Sequence, residues 1–140
     1  MPTRLIFLLS LLCLLALPAR AEIVVIVHPD SPLLKLTARD VSDLYLGRIR
    51  TVNGERPLVL DVTTDSPLRE RFFKSLVGID LIRLNAYWAR LQFSGDTQPP
   101  PQLASGQAIV DAVSRNRLAI GYVNVDQLKA SVRPLLQLKE

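Results

Sequence analysis

The chain has 140 residues, with 17 Lys and Arg against 13 Asp and Glu, and only one histidine and one cysteine. Two of the basic residues, Arg4 and Arg20, belong to an apolar leader, and without them 15 basic and 13 acidic side chains remain. So small an excess predicts neither a nucleic-acid partner nor a polybasic membrane anchor. A zinc site is also not expected, because His28 and Cys13 are the only imidazole and thiol ligands.

Residues 1–21 have the pattern of a secretory signal peptide. Arg4 supplies the positive start, residues 5–17 form the apolar run, and Ala19-Arg20-Ala21 has the form of a cleavage site. The run is shorter than the roughly 20 residues that a spanning helix needs. We therefore expect a periplasmic mature protein that begins at Glu22. Residues 22–140 then form one domain, which contains no cysteine and so no disulfide.

Two strands and one helix are predicted in the first part of this domain. "EIVVIVH" at 22–28 is rich in Val and Ile, which is typical of a strand buried on both faces. Thr37 and Asp40 have a spacing related to a capping box, so a helix is predicted over 38–46. "PLVLDV" at 57–62 predicts the second strand.

The next helix begins abruptly after this strand. Asp65 or Ser66 can cap it, Pro67 suits its first turn, and Gly78 ends it. Its apolar side chains recur at helical spacing and are expected to face the core: Leu68, Phe72, Leu76. Its basic side chains are expected to face water: Arg69, Arg71, Lys74.

The rest of the chain completes an alternating pattern. The further predicted elements are a helix over 80–93, a proline-rich loop over 94–102, a helix over 105–116, a strand over 118–124, a short helix over 125–129 and a closing strand over 132–138. Strands separated by helices predict an α/β sandwich with a mixed or mostly parallel sheet flanked by helices.

Few side chains suggest catalysis. His28 ends a strand beside Pro29, and without a G-x-S-x-G elbow a hydrolase is a remote interpretation. The aromatic residues of the third helix are expected to pack in the core rather than to form a stacking platform: Tyr87, Trp88, Phe93. Arg48 and Arg50 either bind an anion or a partner or, as is more common, lie in a solvated basic loop. We expect no enzyme activity, no cofactor and no metal.

The best candidate for a binding site is the start of the helix at Ser66. Thr63 and Thr64 offer hydroxyls, and the free N–H groups of a helix start can hold a small oxyanion at the carboxyl end of a strand. Asp65 fits such a site if its carboxylate accepts a proton from the ligand. An ordinary capped helix is the competing interpretation.

Three segments in order resemble the phosphate-binding (PstS-like) family of periplasmic substrate-binding proteins. They are "LTARDVSDLYLGRIRTVNGERPLVLDVTTDSPLRERFFKSLVG", "YWARLQFSG" and "LAIGYV". The resemblance covers residues 23–135 and implies one lobe of a type II periplasmic-binding-protein fold, whereas full-length members have two lobes that close on phosphate. Ser66 matches the serine of the family's Ser-Gly-Thr turn, and Pro67 and Leu68 replace its glycine and threonine.

The resemblance implies that the chain binds phosphate or another small oxyanion for uptake or sensing, together with a membrane transporter or sensor. The predicted ligand-binding residues are Thr63, Thr64, Asp65, Ser66, Arg69 and Asn124. A lone lobe could also pair with a second copy to form a cleft. The alternative function is a periplasmic adaptor that has lost its ligand and contacts a membrane sensor or transporter.

Overall fold

The computed structural model describes residues 22–140, and the predicted signal peptide with its cleavage site lies outside the described residues. The elements in chain order are β1 (Ile23–Val27), α1 (Ala38–Tyr45), β2 (Leu58–Val59), β3 (Asp61–Val62), α2 (Pro67–Val77), α3 (Leu81–Ser94), β4 (Gln102–Leu103), α4 (Gly106–Arg115), β5 (Ala119–Asn124) and β6 (Arg133–Leu138). In this part of the chain, no helix combines the length and apolar character needed to cross a membrane.

Four strands form the main sheet in the order β2-β5-β1-β6. β1 is antiparallel to both of its neighbours, and β2 is parallel to β5. Three strands therefore run in one direction and β1 runs in the other, which confirms the predicted mixed sheet with most strands in one direction. β1 is buried along its whole length, as its continuous apolar sequence predicts.

An aromatic cluster joins α1 and α2 to this sheet. The rings of Phe72 and Tyr122 stack, with centroids 3.6 Å apart, and Tyr45 meets Phe72 edge-on at 4.8 Å. Such pairs contribute about 0.5–1.5 kcal/mol each beyond their burial. The predicted core position of Phe72 is therefore confirmed, and the cluster fixes α2 against β5.

Helix boundaries follow their local signals closely. Thr37 and Asp40 form the predicted capping box at the start of α1. Pro67 occupies the first turn of α2, and Gly78 ends it in the left-handed conformation at φ 72°.

The predicted strand over 57–62 divides in two. β2 pairs with β5 in the main sheet, whereas β3 pairs in parallel with β4 in a separate two-stranded sheet. β4 falls at the end of the predicted loop over 94–102, where two residues are too few to give a periodic signal. The predicted short helix over 125–129 is a 3-10 turn, Val125–Gln127.

The three aromatic residues of α3 that were predicted in the core have different outcomes. Trp88 is buried and Tyr87 is half-buried, with its hydroxyl donating to the Leu46 carbonyl at 2.6 Å. Phe93 was expected in the core, but it is 96% exposed because it lies on the outer side of the helix. His28 has an ordinary role, since its Nδ1 accepts the Asp30 N–H at 2.9 Å.

Candidate functional site

Two helices follow the strands of the two-stranded sheet at the same end of that sheet. β3 and β4 are parallel, with Asp61 opposite Gln102, and each is soon followed by a helix, α2 after β3 and α4 after β4. Parallel strands end at the same edge, so both helix N-termini lie there. Their free N–H groups and positive dipole ends favour an anion. We call residues 63–68 and 105–107 the α2/α4 edge.

The turn before α2 is attached to β4. The Thr63 N–H donates to the Leu103 carbonyl, and the Ser66 N–H donates to the Thr63 carbonyl, both at 3.0 Å. The Thr64 hydroxyl lies 3.2 Å from the side-chain oxygen of Gln102. The structure thus brings Thr63 to Ser66 together in one turn, in which the first three residues are exposed and Ser66 is half-buried.

Of the two predicted cap residues, Ser66 is the N-cap of α2, but its side chain does not cap the helix. Its backbone is extended, at φ −70° and ψ 127°, and its hydroxyl makes no capping bond. Pro67 has no N–H to offer. Within residues 22–140, the N–H of Leu68 also has no hydrogen-bond acceptor. One hydroxyl and one amide at this helix start therefore have no hydrogen-bond partner within residues 22–140.

Arg69 was predicted on the water-facing side of α2, and this prediction is wrong. Arg69 is only 3% exposed, and its Nε–H donates to the Asp61 carboxylate at 2.9 Å. Asp61 is 1% exposed and also accepts the Val62 N–H and the Tyr122 hydroxyl. This ion pair joins the first turn of α2 to β3 and so helps to hold the α2/α4 edge in place.

The buried carboxylate also affects two tyrosines. Burial, with the charge of Asp61 as a second cause, raises the pKa of the Tyr122 and Tyr45 hydroxyls well above the usual value of 10.0. Tyr122 donates its proton to Asp61, and Tyr45 donates to the Leu60 carbonyl at 2.8 Å. Both hydroxyls are therefore held protonated as donors, which suits a structural role.

Asn124 ends β5, and its side chain and N–H bond to Arg71 and Gln127 and not to the Ser66 turn. Its side-chain oxygen accepts from Arg71 Nη1 at 2.8 Å, and its N–H donates to Gln127 Oε1 at 3.2 Å. Arg71 also forms an ion pair with Glu140 at 2.5 Å. Asn124 thus connects α2 to the turn after β5, and the described contacts do not join it to Ser66 directly.

The start of α4 was not recognised from the sequence as part of a site. Ser105 caps it by accepting the Ala108 N–H at 3.2 Å. Gly106 lies against Gln127, where an added Cβ would come within 2.5 Å of the side-chain oxygen. The Ser105-Gly106 pair at a predicted helix start was the available signal, but its place at the same edge as the Ser66 turn depends on the pairing of β3 with β4.

Two clefts of the described chain lie away from this edge. One of about 600 Å³ is formed by α1, α3 and the end of α2, and another of about 490 Å³ is lined by the proline-rich loop and Trp88. Neither is lined by Ser66 or Asn124. Thr63, Thr64 and Asp65 are exposed, so this part of the α2/α4 edge is open to water, unlike the enclosed pockets that usually hold small ligands.

Comparison with known proteins gives structural matches only. No family model and no curated protein matches the chain. An ABC-type phosphate transport receptor from Vibrio cholerae matches with a TM-score of 0.62 and 19% identity, over 82% of this chain and 45% of that one. A phosphate ABC transporter substrate-binding protein with bound phosphate from Clostridium perfringens matches with a TM-score of 0.62 and 21% identity, over 82% and 44%.

A third structure matches over a similar share of each chain. PstS from Borrelia burgdorferi gives a TM-score of 0.60 and 14% identity, over 82% of this chain and 46% of that one. The first two of these proteins are described as a transport receptor and a substrate-binding protein. The chain thus has the predicted fold of one part of the PstS-type phosphate substrate-binding proteins, and it spans slightly less than half of their length.

Proposed function

We propose that this protein binds phosphate or another small oxyanion at the α2/α4 edge and works outside the cytoplasm with a membrane transporter or sensor. The observation that carries the proposal is the parallel pairing of β3 and β4, which places two helix N-termini at one edge. The fold likeness to a binding protein solved with phosphate supports the same ligand class.

The free groups of the turn have distinct roles in this proposal. The Ser66 hydroxyl and the Leu68 N–H donate to the oxyanion, and the exposed hydroxyls of Thr63 and Thr64 add donors at the rim. The carboxylate of Asp65 can only accept hydrogen bonds. An oxyanion can therefore bond to it only if the oxyanion carries a proton to donate. Asp65 therefore favours protonated phosphate over sulfate, which carries none near neutral pH.

Two predicted ligand residues act indirectly in this proposal. Arg69 holds the first turn of α2 through Asp61, and Asn124 holds Arg71 on the same helix. Because the edge is open to water and its proposed donors are all uncharged, we expect weak binding, with a Kd of roughly millimolar order. Tighter binding would require a second surface that covers the edge, supplied by a partner or by a second copy.

The test is an NMR titration of amide shifts with phosphate and, separately, with sulfate. Saturable shifts confined to 63–68 and 105–107 are expected with phosphate. They should disappear in Ser66→Ala and persist in Ser75→Ala, a control on the same helix. Asp65→Asn should reduce the preference for phosphate over sulfate. The proposal would be refuted if no amide shift changed up to about 10 mM phosphate, or if chloride caused equal shifts.

The adaptor function remains the second candidate, because a specific surface favours it. The outer side of α3 exposes Ile82 and Phe93 at 82% and 96%. Exposed apolar patches on soluble domains commonly mark protein contacts.

A further inference from the structure

An apolar stripe runs along the outer side of α3. Ile82 and Phe93 lie at its two ends, and Ala86 and Ala89 lie exposed between them. The spacing i, i+4, i+7, i+11 puts all four on one side of the helix. We call these four residues the α3 face. It extends over roughly 16 Å at the α-helical rise, which is longer than most small ligands.

A groove with a basic rim adjoins the α3 face. Its volume is about 600 Å³, and its lining includes the apolar side chains of Leu76 and Ile79 and the three arginines Arg48, Arg83 and Arg90. No acidic side chain lines it. An apolar floor with positive charge at its margin is complementary to an occupant that is apolar on one side and acidic beside it.

The two arginines on α3 are available for such an occupant. Arg48 already pairs with Asp43 at 3.4 Å. Within residues 22–140, Arg83 and Arg90 have no carboxylate partner, and both are exposed. They are seven residues, or two helical turns, apart, so they lie on the same flank of the α3 face.

We propose that the α3 face and its groove bind an acidic amphipathic helix of a partner protein. Apolar side chains of that helix pack between Ile82 and Phe93, where the small Ala86 and Ala89 allow a close approach. Asp or Glu side chains on one flank of the incoming helix pair with Arg83 and Arg90, which fixes its direction. This is the helix-in-groove mode of recognition, and it does not depend on anion binding at the α2/α4 edge.

A second copy of the chain fits this surface less well. In an antiparallel pair of identical helices, the same flank of each helix faces the other. Arg83 of one copy would then lie opposite Arg90 of the second copy, and the like charges would repel each other. A lipid surface is also less suitable, because membrane-surface helices bury a broad apolar face and this stripe has only two large side chains.

The experiment uses two synthetic helical peptides with the same leucine stripe, one with glutamate flanks and one with lysine flanks. Fluorescence anisotropy measures their binding to the purified protein. We expect the glutamate peptide to saturate, and its affinity to fall about tenfold or more in Arg90→Glu and in Phe93→Ser. Arg115→Glu, the same charge reversal at an exposed helical position on α4, should leave its affinity unchanged. The lysine peptide should bind only the Arg83→Glu/Arg90→Glu protein.

Four results would overturn the proposal. The first is no binding of the glutamate peptide up to about 1 mM, and the second is binding that Phe93→Ser leaves intact. The third is a dimer, seen by sedimentation, that Phe93→Ser dissociates, since the occupant would then be a second copy. The fourth is binding to vesicles of anionic lipid that Phe93→Ser abolishes, which would assign the face to a membrane.

Discussion

Replacing Arg69 by methionine should destabilise the protein strongly, because it leaves a buried carboxylate without its cation. Arg69 is 3% exposed and Asp61 is 1% exposed, and they are joined at 2.9 Å. Breaking one side of a buried pair costs about 3–5 kcal/mol, out of about 5–15 kcal/mol for a whole domain. For a domain of this size, the expected fall in melting temperature is roughly 10–20 °C.

Urea unfolding followed by circular dichroism measures this cost, and two further variants separate its causes. Arg71→Met removes a partly exposed pair from the same helix and should cost at most about 1 kcal/mol. Asp61→Asn combined with Arg69→Met keeps an oxygen to accept the Val62 N–H but removes both charges, so it should be more stable than Arg69→Met alone.

The reasoning fails if Arg69→Met costs less than about 1 kcal/mol. It also fails if the double variant is no more stable than Arg69→Met, because the unpaired charge would then not be the cause.

Three further predictions concern stability. Above pH 10 the free energy of unfolding should fall by up to about 1.4 kcal/mol per pH unit for each of Tyr45 and Tyr122. The reason is that their raised pKa keeps protons on the folded protein that the unfolded chain releases. Urea midpoints measured between about pH 9 and 11 should therefore fall less steeply in Tyr122→Phe than in the unchanged protein. Gly121→Ala should lower the free energy of unfolding, measured with urea, by about 1–3 kcal/mol, since the added Cβ would lie 2.4 Å from the Ile109 side chain. A loss below about 1 kcal/mol would mean that the core can adjust. Phe93→Ser should change stability by no more than about 0.5 kcal/mol in the same assay, and a larger loss would show that the exposed ring supports the fold.

Local signals in the sequence were enough to predict the helices of this fold. Thr37 with Asp40, and Pro67 with Gly78, act within one or two turns of the chain, so their effects can be read without knowing the partners. The apolar run of β1 likewise predicted a buried strand. The division of the predicted 57–62 strand between two sheets could not be predicted. Each part is assigned to its sheet by the strand it pairs with, and that strand is distant in sequence.

The candidate site shows the same limit. The turn from Thr63 to Ser66 was predicted because the whole turn is contiguous in sequence. The burial of Arg69 was not predicted, since a helical arginine next to an exposed glutamate normally faces water and only Asp61 on β3 draws it inward. The neighbouring start of α4 depends on the pairing of β3 with β4, which connects residues about forty positions apart.

The position of β1 between β5 and β6 has a consequence for how the chain folds. Ile23 is opposite Asn124 on one side and Leu138 on the other, so both neighbours of β1 are supplied by the last quarter of the chain. Pairing at such sequence separations slows folding. Until those residues are available, the five apolar residues of β1 have no strand to pair with and are a segment at risk of aggregation. The main sheet can thus be completed only after β5 and β6 have been synthesised.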